Sequence, residues 1–203
     1  MKQNCGIKRI GNKLMKKLLH IGCGFKRQDL LPDIFKDYEE IRQDIDKNVN
    51  PDYCCSINDM SIIESDQFDA VFSSHCLEHL HPFDILPTLE ETNRVLNGNG
   101  FVFIRVPDLE IVAEFILKGM INTTVYESDG GPVAPLDMIY GFKYYTKKNP
   151  FMEHKCGFTV NSLIDALRAA RFGQVTGRRY GFDVQAIAAK TEQINLQEIL
   201  ERI

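Results

Sequence analysis

The seven residues Leu-Leu-His-Ile-Gly-Cys-Gly at 18–24 constrain this chain most. A short apolar run passes into a turn with two glycines separated by one residue. Parallel strands buried on both faces read as such runs. Glycine lets the turn take unusual φ/ψ and lets backbone approach a ligand closely. The stretch therefore predicts a strand over Leu18–Ile21 whose C-terminal end meets a nucleotide-like ligand. Asp44 stands 20 positions beyond Gly24, where a carboxylate can accept from ribose hydroxyls.

Strand-like and helix-like segments then alternate. Strands are predicted over Tyr38–Gln43, Asp52–Ile57, Phe68–Ser73 and Phe101–Val106, with a weak helical patch at Asp29–Phe35 interrupted by Pro32. Ile85, Leu89, Thr92 and Leu96 recur at helical spacing within His81–Leu96, and Asn97-Gly-Asn-Gly100 is expected to stop that helix. Asp108 is placed to cap a helix through Leu117, closed by Gly119, and Thr159 to cap another through Arg171. Residues 120–157 lose periodicity and read as a loop-rich insertion, a substrate lid. Two final strands, Gln174–Tyr180 and Val184–Lys190, are joined by too few residues for a parallel crossover, so they pair antiparallel. A short helix is expected in the tail from Thr191 to Ile203. The fold class is α/β: a doubly wound, Rossmann-like sheet, mostly parallel, with a C-terminal antiparallel hairpin. Residues 1–203 are expected to form one domain.

Composition limits the partners. A net charge of −4 argues against a general nucleic-acid binder, although Lys2, Lys8, Arg9, Lys13, Lys16 and Lys17 make residues 1–16 and their border a basic arm. No stretch approaches the ~18 apolar residues of a membrane span, and the N-terminus has no apolar signal-peptide core. A cytoplasmic location is expected. Six cysteines in such a chain are expected as free thiols, and there is no C-x-x-C. His75, His79 and His81, with His154 and Cys156, are the one candidate metal cluster, but H-E-x-x-H is missing and no metal is expected.

In a doubly wound sheet the ligand lies beyond the carboxyl ends of the strands, at the switch point. The residues there are Gly22 and Gly24 after strand one, Asp44 after strand two, Asp59-Met60 after strand three and Ser74-His75 after strand four. Asp46 competes with Asp44 for the ribose. The Asp59 carboxylate can take an adenine amino group, and the next backbone N–H a ring nitrogen.

His20-Ile-Gly-Cys-Gly24, Asp59-Met60, the run Phe68-Asp-Ala-Val-Phe-Ser-Ser-His-Cys-Leu-Glu-His-Leu80 and Glu91-x-x-Arg94-Val-Leu resemble class I S-adenosylmethionine-dependent methyltransferases. His154-x-x-Gly157-Phe-Thr159 and the closing stretch to Ala189-Lys190 resemble the C-terminal half of the methyltransferase-domain-11-like group. The resemblance spans residues 17–190. It implies an enzyme with S-adenosylmethionine as cofactor and a small-molecule or glycan acceptor, with oxygen as the expected methylated atom. It implies that Gly22, Cys23 and Gly24 pass the methionine portion, Asp44 holds the ribose, Asp59 and Met60 flank the adenine, and Ser74 and His75 lie near the sulfonium and amino acid end. Lys26 stands where the family often has a third glycine.

His79 is expected to order the start of the following helix, and His154 to pack or hydrogen-bond at the base of the insertion. Both are weak candidates for a general base. Two other readings compete. A non-catalytic cofactor-binding or scaffold protein would keep the fold without turnover. An NAD(P)-dependent oxidoreductase would need glycine or alanine at position 27, which is Arg27. Tyr144-x-x-x-Lys148 mimics a dehydrogenase pair but falls in the irregular insertion.

Overall fold

The strands meet in one seven-stranded sheet in the computed structural model, which describes residues 9, 10, 13–26 and 31–203. Its parallel part is β1 (Lys16–Ile21), β2 (Tyr38–Asp44), β3 (Tyr53–Cys54), β4 (Phe68–Ser74) and β5 (Leu96–Pro107). An inserted hairpin, β6 (Tyr126–Ser128) and β7 (Gly131–Val133), stands apart from it. The last pair is β8 (Gln174–Tyr180) and β9 (Asp183–Ala189). The order is β8-β9-β5-β4-β1-β2-β3, with β9 antiparallel to both neighbours. Strand order reverses between β1 and β4, so the crevice at their carboxyl ends is the switch point. Before the sheet, Arg9–Ile10 pairs antiparallel with Lys13–Leu14; the rest of the basic arm lies outside the described residues.

The apolar runs are nearly continuous because both faces of the sheet are covered. Leu19, Ile21, Val71, Val102, Ile104 and Ala186 face one layer. That layer is built by α1 (Pro82–Val95), through Ile85 and Leu89, and by α5 (Val160–Ala169), through Leu163 and Leu167. Their alternate neighbours Leu18, Ala70, Phe72, Phe101, Phe103 and Ile187 face the other, closed by Phe35 and by Leu196 and Leu200 of α6 (Leu196–Glu201). Each such buried aliphatic or aromatic side chain contributes about 1.5–3 kcal/mol.

Four expectations need correction. The helix over Asp29–Phe35 is, in its described part, one 3-10 turn, Asp33–Phe35. Pro32 blocks a longer helix by removing a donor and restricting its neighbour. Phe35 covers the sheet instead, its ring 5.7 Å from Phe72 and 6.0 Å from Phe101. The strand over Asp52–Ile57 shrinks to Tyr53–Cys54, because it pairs only with Gln43 and Asp44 at the tip of β2. Asn97-Gly-Asn-Gly100 belongs to β5 as a bulge: the register against β4 shifts between Phe68 and Ala70, and the Asn99 amide donates to Asn97 Oδ1 at 3.0 Å.

The fourth correction concerns 120–157, which is built of short elements. These are β6 and β7, α3 (Pro135–Tyr140), α4 (Lys143–Thr146) and the turn Pro150–Met152. None exceeds six residues, too few to show a helical period. They pack on α2 (Leu109–Leu117) through Val112, Val133 and Met138. The predicted caps are present: Glu110 N donates to Asp108 Oδ1 and Ser162 N to Thr159 Oγ1. Among the described residues no helix is long and apolar enough to cross a membrane.

Candidate active site

The glycine turn is fixed by the tip of β2. The Gly22 amide donates to Gln43 Oε1 at 3.3 Å, the Cys23 amide to the Gln43 carbonyl at 3.1 Å, and the Gly24 amide to Asp44 Oδ2 at 2.8 Å. The Gly24 carbonyl accepts from the buried Arg42 guanidinium, which also donates to the carbonyls of Val49 and Asn50. Both glycines sit at positive φ, 61° and 57°. At Gly22 a Cβ would stand 2.2 Å from Cys76 Sγ, whereas at Gly24 it would meet open space. Only the first is therefore held to glycine by contact as well as by conformation. Cys23 is buried, and that burial pushes its thiol up to about 11. Lys26 is exposed at the end of the turn; Arg27 lies outside the described residues.

Asp44 and Asp46 differ in employment. Asp44 accepts the Gly24 amide on one oxygen and the Asp46 amide on the other at 2.9 Å, leaving each oxygen further acceptor capacity. Asp46 faces away into a cap, accepting both the backbone and side-chain N–H of Asn48.

Asp59 is exposed, and the Ser61 side chain and amide hold its carboxyl below the ordinary range. Met60 is fully buried. Its amide donates to Glu91 Oε2 at 3.0 Å and its carbonyl accepts from Arg94 at 2.9 Å. The Met60 N–H is thus occupied by a protein carboxylate, and its side chain fills the core.

At the end of β4, Ser74 is half-buried and His75 sits at φ 50°, with its amide donating to the Arg105 carbonyl at 2.9 Å. The His75 ring lies between two carboxylates, 3.3 Å from Glu78 and 3.6 Å from Asp183. The ring is about half exposed, and the two carboxylates push the imidazole up to about 10 against the desolvation by the surrounding protein. Glu78 is 1% exposed and neither of its oxygens has a hydrogen bond. His79 does not order the start of α1, which begins after His81 without a side-chain cap. It reaches the insertion instead, with Nδ1 3.1 Å from the Glu153 carbonyl. His154 does hydrogen-bond at the base of the insertion, Nδ1 to the Met138 carbonyl at 2.9 Å, and the two rings meet edge to face at 4.9 Å. Burial lowers His154 from its ordinary pKa, with the Glu78 carboxylate opposing.

The insertion forms an open pocket of about 470 Å³ lined by Asp137, Tyr140, Lys143, Thr146, Glu153 and His154, among others. Tyr144 belongs to the four-residue α4 and is 54% exposed, so it and Lys148 do not form the pair a long dehydrogenase helix would carry. The five described cysteines are all free thiols, and Cys5 lies outside the described residues.

Sequence reading missed Arg42, Gln43 and Glu78. The first two had a signal, a polar Arg-Gln-Asp run at the C-terminal end of a parallel strand, where nothing apolar need be covered.

A family model described as a methyltransferase domain matches residues 19–104, from the middle of β1 into β5. No curated protein matches the chain in sequence. Solved structures match in fold. A SAM-dependent methyltransferase from Archaeoglobus fulgidus is 17% identical with a TM-score of 0.57, and the match covers 86% of each chain. The 1,6-didemethyltoxoflavin N1-methyltransferase of Burkholderia thailandensis, solved with S-adenosylhomocysteine, is 18% identical with a TM-score of 0.55, covering 88% of this chain and 72% of that one. An O-methyltransferase family protein from the same organism is 10% identical with a TM-score of 0.57, covering 88% and 52%.

Proposed function

We propose that this chain, which has a methyltransferase-domain match over residues 19–104 and the fold of S-adenosylmethionine-dependent methyltransferases, is a class I enzyme of that kind that methylates an oxygen of a small-molecule or glycan acceptor. The observation that carries the reading is the glycine turn Gly22–Gly24 at the switch point of the sheet, pinned by Asp44 at the end of the neighbouring parallel strand. A glycine turn with open space beside Gly24, next to an acid with spare acceptor capacity, fits a nucleoside cofactor. S-adenosylmethionine supplies a methyl group activated by its sulfonium.

We assign Gly22, Cys23 and Gly24 to the methionine portion and Asp44, rather than Asp46, to the ribose hydroxyls. Asp59 takes the adenine amino group through its exposed carboxylate. Met60 anchors that loop, since its amide already serves Glu91. Ser74 and His75 meet the amino acid end, with His75 oriented by Asp183 and Glu78. Residues 120–157 form the acceptor side. Tyr140, Lys143 and Glu153 supply a polar wall suited to a hydroxylated acceptor, which fits oxygen as the target. His79 and His154 act there, on the acceptor side of the crevice. What these residues contribute is alignment of the acceptor oxygen and exclusion of water. A reducing compartment such as the cytoplasm suits the free thiols, and the net charge of −4 does not suit nucleic acid as a partner.

Calorimetric titration with S-adenosylhomocysteine, with NAD(H) as control, tests the cofactor assignment. Micromolar binding of the first alone is expected. Binding of NAD(H), or of neither, rejects it. Methyl transfer to a panel of hydroxylated and amino acceptors then tests oxygen as the target.

A further inference from the structure

We propose that Glu78, His79 and His154 form a binding site for one divalent first-row transition-metal ion, beside the insertion pocket that His154 lines. Each residue offers a ligand atom, and the three atoms lie within 4.8 Å of one another. An ion with bonds of about 2.1 Å needs its ligands roughly 3–4 Å apart, so small side-chain rotations suffice.

Two independent observations point to an ion. The first is Glu78: a carboxylate 1% exposed, with no hydrogen bond to either oxygen. Its nearest ionic partner is His75 Nδ1 at 3.3 Å. A buried carboxylate is costly unless paired and hydrogen-bonded, and one ion pair at that distance leaves most of its acceptor capacity unused. The second is the orientation of the two imidazoles. Each has Nδ1 against a backbone carbonyl, His79 on Glu153 and His154 on Met138. A carbonyl only accepts, so both Nδ1 atoms carry a proton, and in the neutral rings it is Nε2 that offers the lone pair. Metal-ligating histidines are held in this way, the other ring N–H donating to a carbonyl that fixes tautomer and orientation.

Two imidazoles and one carboxylate suit Mn²⁺, Fe²⁺, Co²⁺, Ni²⁺ or Zn²⁺ and leave coordination positions open. His154 also lines the cavity, so those positions adjoin the space assigned to the acceptor. This makes the two histidines ligands in place of a general base. The ion would bind the acceptor hydroxyl and lower its pKa. That last step rests on the methyl-transfer reading; the binding of the ion does not.

The test is calorimetric titration of chelator-treated full-length protein with Mn²⁺ and with Co²⁺, the Co²⁺ adduct also being read by its visible spectrum. One ion per chain is expected, with affinity at least tenfold weaker in Glu78→Gln and in His154→Asn. Circular dichroism reports whether each variant folds. If Glu78→Gln does not, His154→Asn on the surface-built insertion decides. Failure of the wild type to bind either ion, or unchanged affinity in a folded variant, overturns the site. S-adenosylhomocysteine is titrated in parallel. Metal binding without it supports the metal site while rejecting the transferase reading, and the converse overturns the site alone.

Discussion

The Gly24 amide donates to Asp44 Oδ2 at 2.8 Å, so the turn after β1 is closed by the last residue of β2. The relationship explains a spacing of 20 residues that sequence alone can only note. Adjacent parallel strands bring the two ends together, and the acid fixes the backbone beside which it is proposed to hold a ribose.

Asp44→Ala is expected to weaken S-adenosylhomocysteine binding by about 1.5–3 kcal/mol, the range for hydrogen bonds to a charged group. Asp46→Ala removes the cap on Asn48 and should lower stability by about 1 kcal/mol while leaving affinity nearly unchanged. Calorimetry on both variants decides. The reverse ranking would transfer the ribose role to Asp46.

Gly22→Ala is expected to destabilise the protein and abolish cofactor binding, because its Cβ would lie 2.2 Å from Cys76 Sγ at a φ of 61°. Cys76→Ala removes the sulfur but leaves a contact of 2.8 Å to Cβ, and the backbone strain stays. Adding it should therefore recover the melting temperature only in part. Gly24→Ala meets no atom and pays only for its φ, so it should be the milder change. Equal effects at the two glycines would refute the contact argument.

The sheet was legible because its strands are buried on both faces. Leu18 and Leu19 point to opposite layers yet are both apolar, and the same holds for Phe101 and Val102. The caps at Asp108 and Thr159 were legible because their side chains have one local partner each. Asp44 could be placed at the end of its strand by spacing alone. What escaped was decided by distant partners. The Met60 amide is taken by Glu91, 31 residues away, and nothing near Met60 announces it. Glu78 and His79 look like one helix start in sequence, but the chain turns them toward His154, which arrives from the insertion. The insertion itself has elements too short to leave a periodic trace.

Glu91 links the Asp59-Met60 loop to α1, with Arg94 Nε 2.7 Å from Glu91 Oε1 and its NH2 group donating to the Met60 carbonyl. The Arg94 guanidinium holds the Glu91 carboxyl below the ordinary carboxylate range. A depressed folded pKa stabilises above the unfolded value, about 4.3, and that contribution is lost as pH falls through the folded value. Glu91→Gln is expected to lower stability by about 1–2 kcal/mol at pH 7, discounted for partial exposure. Urea unfolding should show the gap to wild type closing below about pH 4. A gap independent of pH would mean that the carboxylate charge is not what holds the loop.

Arg179 on β8 gathers three carboxylates from the cap and first two turns of α2: Asp108, Glu110 at 2.8 Å and Glu114 at 3.0 Å. They are not equivalent, since Asp108 is fully buried and the other two are about half exposed. Removing the cation leaves the fully buried Asp108 carboxylate without its ionic partner. Arg179→Met is therefore expected to destabilise by about 2–3 kcal/mol, below the usual range for breaking a buried pair because the guanidinium is itself partly exposed. Glu110→Ala should stay within about 0.5 kcal/mol, as exposed pairs do. Adding Asp108→Asn to Arg179→Met removes the stranded charge and keeps an oxygen for the Glu110 amide, so the double variant should be more stable than Arg179→Met alone. Urea denaturation of the two single variants and the double separates the cases. If Glu110→Ala matches Arg179→Met, or the double variant loses further stability, the stranded Asp108 charge is not the cause.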